Sequence, residues 1–195
     1  RDAATNPFIN LYENVLLSTE NWQGYDVVGI SIVGISQIIP GLTLARMIKE
    51  KYPHLHITLG GPIFSVNAGQ LIGHPEFFDD FCHSVVTFEG EEPMHRLLSA
   101  LKAGDSLSTV PNLLHLDDRE VVQNKERVEL RFEELPHPDF DGLPMDKYLS
   151  PYPILPVLQS RGCYWGKCTF CDHGAGYIDQ FRAKHADQIV EELEY

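Results

Sequence analysis

Between Asp26 and Gly34 the sequence runs Val27-Val28-Gly29-Ile30-Ser31-Ile32-Val33. A stretch this continuously apolar and β-branched, without polar alternation, predicts a strand buried on both faces. Such strands belong to parallel sheets covered by helices. The flanks support that expectation. Upstream, Asn6 caps and Pro7 starts a helix, and Phe8, Leu11, Tyr12, Val15 and Leu16 form one apolar stripe. Downstream, a loop from Gly34 to Pro40 leads into a helix that begins at Pro40, carries Leu44, Ala45, Ile48 and Tyr52 inward, and is stopped by Pro53. The unit then repeats. His56-Ile57-Thr58-Leu59 is a second strand ending at Gly60-Gly61-Pro62, with Ser65 as the cap of a helix reaching Leu71-Ile72. Ser84-Val85-Val86-Thr87-Phe88 is a third strand, followed by Glu89-Gly90 and a helix through Leu97, Leu98 and Leu101. Glu91 and Glu92 complement that helix's macrodipole, and Gly104 suits its end. Alternating strands and helices predict an α/β fold: a Rossmann-like, flavodoxin-like doubly wound parallel sheet.

After Ser108 the pattern changes. Residues 112–116 and 120–128 predict a polar hairpin about Asp117-Asp118. Pro136, Pro138, Pro144, Pro151, Pro153 and Pro156 then disfavour helix and central strand, which leaves an extended connector. Residues 154–158 predict a strand, and Ala186 to Tyr195 a helix with Ile189, Val190 and Leu193 inward. The organisation expected is therefore a sheet domain over residues 1–107, a hairpin and connector over 108–153, and a strand–loop–helix unit over 154–195. The last would begin a β/α barrel, whose loops after strands carry chemistry.

That final loop is Ser160-Arg161-Gly162-Cys163-Tyr164-Trp165-Gly166-Lys167-Cys168-Thr169-Phe170-Cys171. Three thiolates on one short loop can converge on one metal centre, and soft sulfur selects zinc or an iron–sulfur cluster. Closed structural zinc wants four ligands, which would have to include Cys82 or a histidine such as His173. A cluster held by three cysteines leaves one iron open. The spacing also matches the first three cysteines of plant-type ferredoxins, but no fourth cysteine follows Cys171. Cys82 itself is expected to be a buried small hydrophobe.

The balance of 15 Lys+Arg against 28 Asp+Glu gives a formal net charge of −13, which excludes nonspecific binding to nucleic acid or anionic membrane. No apolar run has transmembrane length, and the first residues do not form a signal peptide. Clustered cysteines without such a signal favour a reducing cytoplasm and a metal role. The absence of an initiator methionine and of a helix-ending signal at Tyr195 suggests a fragment of a longer protein.

The loop resembles the cluster loop of radical S-adenosylmethionine (SAM) enzymes. Phe170 stands at the aromatic position before the third cysteine. The departure is the first gap, where Tyr164-Trp165-Gly166-Lys167 has one residue more than the usual pattern. The first half resembles cobalamin-binding domains, on Ser31-Ile32-Val33 followed by Gly60-Gly61. Together with Glu89-Gly90-Glu91 and the proline connector, these segments occur in the order found in cobalamin-dependent radical SAM enzymes, including the anaerobic magnesium-protoporphyrin monomethyl ester oxidative cyclases. The resemblance implies a [4Fe–4S] cluster on Cys163, Cys168 and Cys171, with SAM on the open iron and Phe170 beside its adenine. It implies cobalamin on Ser31, Val33, Gly34, Ser36, Gly60, Gly61, Glu89 and Gly90, with small residues leaving room for its nucleotide tail. No catalytic side chain is assigned. It further implies reductive cleavage of SAM for methyl transfer, cyclisation or related C–H chemistry on a small molecule or peptide, with flavodoxin or ferredoxin as reductant. In that family further strands precede the strand at 27–33, so an open edge is expected there. Competing readings are a corrinoid or electron carrier without turnover and a zinc-stapled interaction module.

Overall fold

The computed structural model describes residues 5–19, 21–171 and 180–194, and His173 lies outside them. The chain divides into two compact units, residues 1–129 and 130–195.

The first unit opens with α1 (Pro7–Leu11), whose cap is Asn6: its side chain accepts from the Phe8 N–H. A π-helical turn over Tyr12–Leu16 and the short α2 (Leu17–Thr19) continue it. The sheet follows as β1 (Val27–Ser31), β2 (His56–Gly60), β3 (Ser84–Val86), β4 (Leu113–Asp117) and β5 (Glu120–Gln123), in that spatial order. The first three strands are parallel. β4 and β5 are antiparallel to their neighbours. The hairpin expected beside the connector thus completes the sheet, and β4 is buried where a polar strand was expected.

Helices α3 (Ile38–Lys51), α4 (Pro62–Leu71) and α5 (Pro75–Phe81) connect β1 to β2 and β2 to β3, and α6 (Glu91–Ala103) connects β3 to β4. Ile57, Leu59 and Val85 pack with Ala45, Ile48, Phe64 and Phe78 in the larger core. Val86 and Leu113 pack with Leu97 and Ala100 in a second. Each fully buried large side chain contributes on the order of 1.5–3 kcal/mol. Acidic residues begin α6 and left-handed Gly104 ends it, as expected.

Four local expectations fail for identifiable reasons. β1 is not buried on both faces. It lies at the sheet edge, paired only with β2 among the described residues, and Gly29 and Ser31 are exposed. The open edge itself was expected. Helix α3 begins at Ile38, two residues before Pro40, because proline fits a first helical turn as well as a first position. Ser65 caps nothing: α4 starts at Pro62 with Gly61 as its cap, and Ser65 is buried inside it. Helix α5 was not foreseen, although His74-Pro75 marks its start.

In the second unit residues 154–158 form no strand. The strand pairing found there is the antiparallel ribbon of β6 (Ser160–Arg161) and β7 (Arg182–Ala183), which replaces the strand of the expected barrel unit. Pro156 within this segment, with Pro151 and Pro153 just before it, lacks the amide donor a ladder needs. Helix α7 (Ala186–Glu194) forms, but Val190 and Leu193 are exposed where inward packing was expected. Its Glu192 forms a buried ion pair with Lys184, whose ammonium lies 5.7 Å from the Phe132 ring centre. Among the described residues no helix is long and apolar enough to cross a membrane.

Candidate functional site

The parallel strands β1, β2 and β3 end in one row. Ser31 is the register partner of Gly60, and a Cβ on Gly60 would lie 3.6 Å from the Val86 carbonyl oxygen. The turns after the three strands therefore leave the sheet side by side, at the end where doubly wound folds bind ligands. The structure brings Ser31, Val33, Gly34, Ser36, Gly60, Gly61, Glu89 and Gly90 to this end.

The turns hold one another. Ile32 donates to the Gly60 carbonyl at 2.8 Å. Gly61 has φ +107°, and a Cβ there would sit 2.4 Å from the Ile32 carbonyl oxygen. Its side-chain position is thus filled by the chain's own backbone. Of the two outcomes a side chain at Gly61 could have, entry into cofactor space or a strained turn if φ is positive, the positive φ and the Ile32 backbone select the strained turn. The space beside Gly34 and Gly90 is open. A Cβ on Gly90 meets nothing within 4 Å, and one on Gly34 only the Ser36 hydroxyl at 3.9 Å. Val33 and Ile35 are exposed beside it. Open space along a row of rigid glycine turns fits a bulky planar group such as a corrinoid.

Gln37 was missed. Its Oε1 accepts from the backbone N–H of Val33 at 2.7 Å and of Gly34 at 3.2 Å, closing the loop before α3. The signal was available, since Gln three residues after a helix-entry position is half of a capping box. On the third turn, Phe88 donates its N–H to the Ser65 hydroxyl at 2.7 Å.

In the second unit Cys163, Cys168 and Cys171 are free and exposed. Gly162 and Gly166 both have positive φ, +83° and +58°. The left-handed turn at Gly166 folds the backbone onto Cys163, and N–H donors of Gly166 and then Trp165 lower that thiol's pKa. The residue that lengthens the first gap therefore belongs to a segment that bends back over the first sulfur. Cys171 donates its N–H to the Cys168 carbonyl at 3.3 Å. Among the described residues no three ligand side chains are gathered at a common point. The donor set nevertheless fits a thiophilic centre: three accessible sulfurs on one loop, one of them biased toward thiolate. Phe170 is 89% exposed. Cys82, by contrast, is buried, and burial pushes its thiol up to about 12, as befits a small core hydrophobe.

No protein-family model matches the chain. Among curated relatives, it is 28% identical over 170 residues to an uncharacterized methyltransferase of Pyrococcus horikoshii, covering 86% of this chain and 36% of that protein. It is 25% identical over 164 residues to the cobalamin-dependent radical SAM methyltransferase TokK of Streptomyces tokunonensis, covering 79% of this chain and 23% of the relative. Among solved structures, the cobalamin-dependent SAM radical enzyme OxsB with aqua-cobalamin bound superposes with a TM-score of 0.70 at 26% identity, over 97% of this chain and 25% of that one. OxsB has also been solved with SAM bound beside aqua-cobalamin. The chain therefore spans about a quarter to a third of the length of the proteins it matches. Over nearly all of its own length it is similar to cobalamin-dependent radical SAM enzymes.

Proposed function

We propose that this chain is the cofactor-bearing part of a cobalamin-dependent radical SAM methyltransferase. The observation that carries the reading is the coexistence of two sites in one short chain. A row of rigid glycine turns stands at the carboxyl ends of three parallel strands, and a loop of three free, exposed thiols follows. Similarity to OxsB over 97% of the chain supports it.

In this reading Cys163, Cys168 and Cys171 would hold a [4Fe–4S] cluster, and the exposed Phe170 would contribute an apolar face to the SAM site. The turns at Ser31–Ser36, Gly60-Gly61 and Glu89-Gly90 seat cobalamin. When bound, these groups supply reductive SAM cleavage and a methyl carrier. The chain itself supplies positioning, a low-pKa thiol at Cys163 and a preformed backbone seat. Methyl transfer is favoured over oxidative cyclisation because the curated relatives named above are methyltransferases. The substrate is a small molecule or peptide, the reductant a flavodoxin or ferredoxin, and the compartment cytoplasmic.

Anaerobic reconstitution tests the reading. The expected result is about four irons and four sulfides per chain, together with hydroxocobalamin absorbance co-eluting with the protein. One zinc per chain and no corrinoid would instead establish the zinc-stapled module.

A further inference from the structure

We infer that Asn112 is a positioning residue for the turn at Phe88–Gly90, and that it fastens this turn to the segment at residues 126–128. The inference rests on the reading above in one respect: this turn is the third member of the cobalamin seat.

Phe88 has φ +60°, a left-handed conformation that costs a bulky residue on the order of 1–3 kcal/mol and persists only where the surroundings over-determine it. Several groups do so here. The Phe88 N–H is held by the Ser65 hydroxyl, and the Arg127 guanidinium lies 4.0 Å from the centre of the Phe88 ring. The next residue's carbonyl, Glu89 O, accepts from Asn112 Nδ2 at 3.3 Å.

Asn112 is 3% exposed and itself left-handed, at φ +52°, where asparagine is tolerated better than most residues. Its polar atoms all have partners. The same Nδ2 donates to the Val128 carbonyl at 2.8 Å, and Oδ1 accepts from the Val128 N–H at 3.1 Å. Its own N–H donates to the Glu126 carbonyl at 3.0 Å, and its carbonyl accepts from the N–H and hydroxyl of Thr87. One buried side chain therefore ties the exit of β3 to the 126–128 segment through bonds on both. Glu126 adds a second tie, pairing with Arg96 of α6 at 3.2 Å.

The test uses two variants of the full chain. Asn112→Gly keeps the positive φ and removes the side chain. Asn112→Asp keeps the acceptor for Val128 and removes the donors to Glu89 and Val128. Amide hydrogen exchange is read at Thr87, Phe88 and Val128 against the β2 amides, and hydroxocobalamin affinity is read by titration. In both variants we expect exchange to rise about tenfold at 87–88 and 128 with β2 unchanged, and affinity to fall about tenfold. A uniform rise across the sheet would make Asn112 a general stability residue and overturn the inference. So would unchanged exchange, or local loosening with unchanged affinity. If the parent chain takes up no hydroxocobalamin, the cobalamin reading fails on its own. The exchange pattern then still decides whether Asn112 holds the turn.

Discussion

At the ends of β1, β2 and β3 the chain is locked onto itself: Gly61 lies on Ile32, Gln37 closes the turn at Val33 and Gly34, and Ser65 holds Phe88. Around Cys163, Cys168 and Cys171 the thiols stand exposed, with the backbone donors of Gly166 and Trp165 on Cys163. The two regions differ in where their geometry comes from. A parallel sheet fixes its own exits because each turn inherits the register of its strand, so a seat for a bulky ligand is built before the ligand arrives. Thiolate ligands repel one another and take a common geometry only from the metal they bind, so metal binding and local order come together. Changes to the backbone lock in the first region should register in folding, and changes in the second as lost cofactor.

The largest effect expected is at Gly61. A Leu there combines φ +107° with a Cβ 2.4 Å from a backbone oxygen, and backbone cannot move aside as a side chain can. Gly61→Leu should destabilise the first unit by on the order of 3 kcal/mol or more, measured by urea denaturation. A folded variant of parental stability would mean that the exits are not locked.

The second effect is large on binding and small on folding. Cys163→Ala, Cys168→Ala and Cys171→Ala should each reduce reconstituted iron to background while the urea midpoint stays within error, and Cys82→Ala should leave iron unchanged. In the native apo chain iodoacetamide should label three cysteines and spare Cys82, which is buried with its thiol at about 12. Labelling of Cys82 at the same rate as Cys163 would erase the contrast between buried and presented sulfur.

A third effect arises at the opposite end of the sheet from the glycine turns. The His83 ring accepts the Ile57 N–H on Nδ1 at 2.9 Å, while the His83 backbone N–H donates to the Ile57 carbonyl. An imidazole nitrogen thus substitutes for a carbonyl in the β2–β3 ladder. His56 pairs its Nε2 with the Ser84 hydroxyl at 2.9 Å. Burial first, and then neighbouring His83 and Lys49 for His56 and Lys49 for His83, lower both residues to about 4. The sign follows from linkage: between about pH 6.5 and 4 the unfolded chain takes up protons that the folded chain refuses. Stability is therefore fully present above about 6.5 and declines as pH falls to 4. After allowance for partial exposure, the loss is on the order of 1 kcal/mol per histidine. Urea midpoints from pH 7.5 to 4.5 should fall in the parent and flatten in His83→Gln. An identical slope in both would remove His83 from the account.

How much of this was legible in the sequence depended on whether the cause was local. The β1–β3 strands, α6 with its Glu91, Glu92 and Gly104 signals, and the cysteine loop follow from patterns within a few residues. The open edge of β1 was expected only from the family resemblance and not from the strand's own residues, because a strand's neighbours are set by the whole sheet, and an apolar run reads the same at an edge as in the centre. The burial of β4 was hidden for the same reason: it depends on pairing with β3 and packing under α6. At the candidate site the glycines were visible, but what each one faces was not. Gly61 meets backbone and Gly90 meets open space, a difference no spacing encodes. Asn112 was out of reach, since its partners lie as far away as Thr87 and Val128 in sequence.

The smallest effect separates two causes that Gly61 mixes. Gly104 also has positive φ, +72°, but a Cβ there meets nothing within 4 Å. As the left-handed cap of α6, its N–H donates to the Leu101 carbonyl and the Asp105 N–H to Ala100, and both bonds survive addition of a methyl group. Gly104→Ala should therefore cost only the conformational penalty, about 1 kcal/mol, with hydroxocobalamin uptake unchanged. Gly61→Ala bears a comparable conformational penalty plus the collision with Ile32. The excess loss in Gly61→Ala over Gly104→Ala, read from paired urea curves, is then the contribution of backbone contact between the β1 and β2 turns. An excess indistinguishable from zero would show that β1 and β2 exit independently, and the first region would be no more preorganised than the cysteine loop.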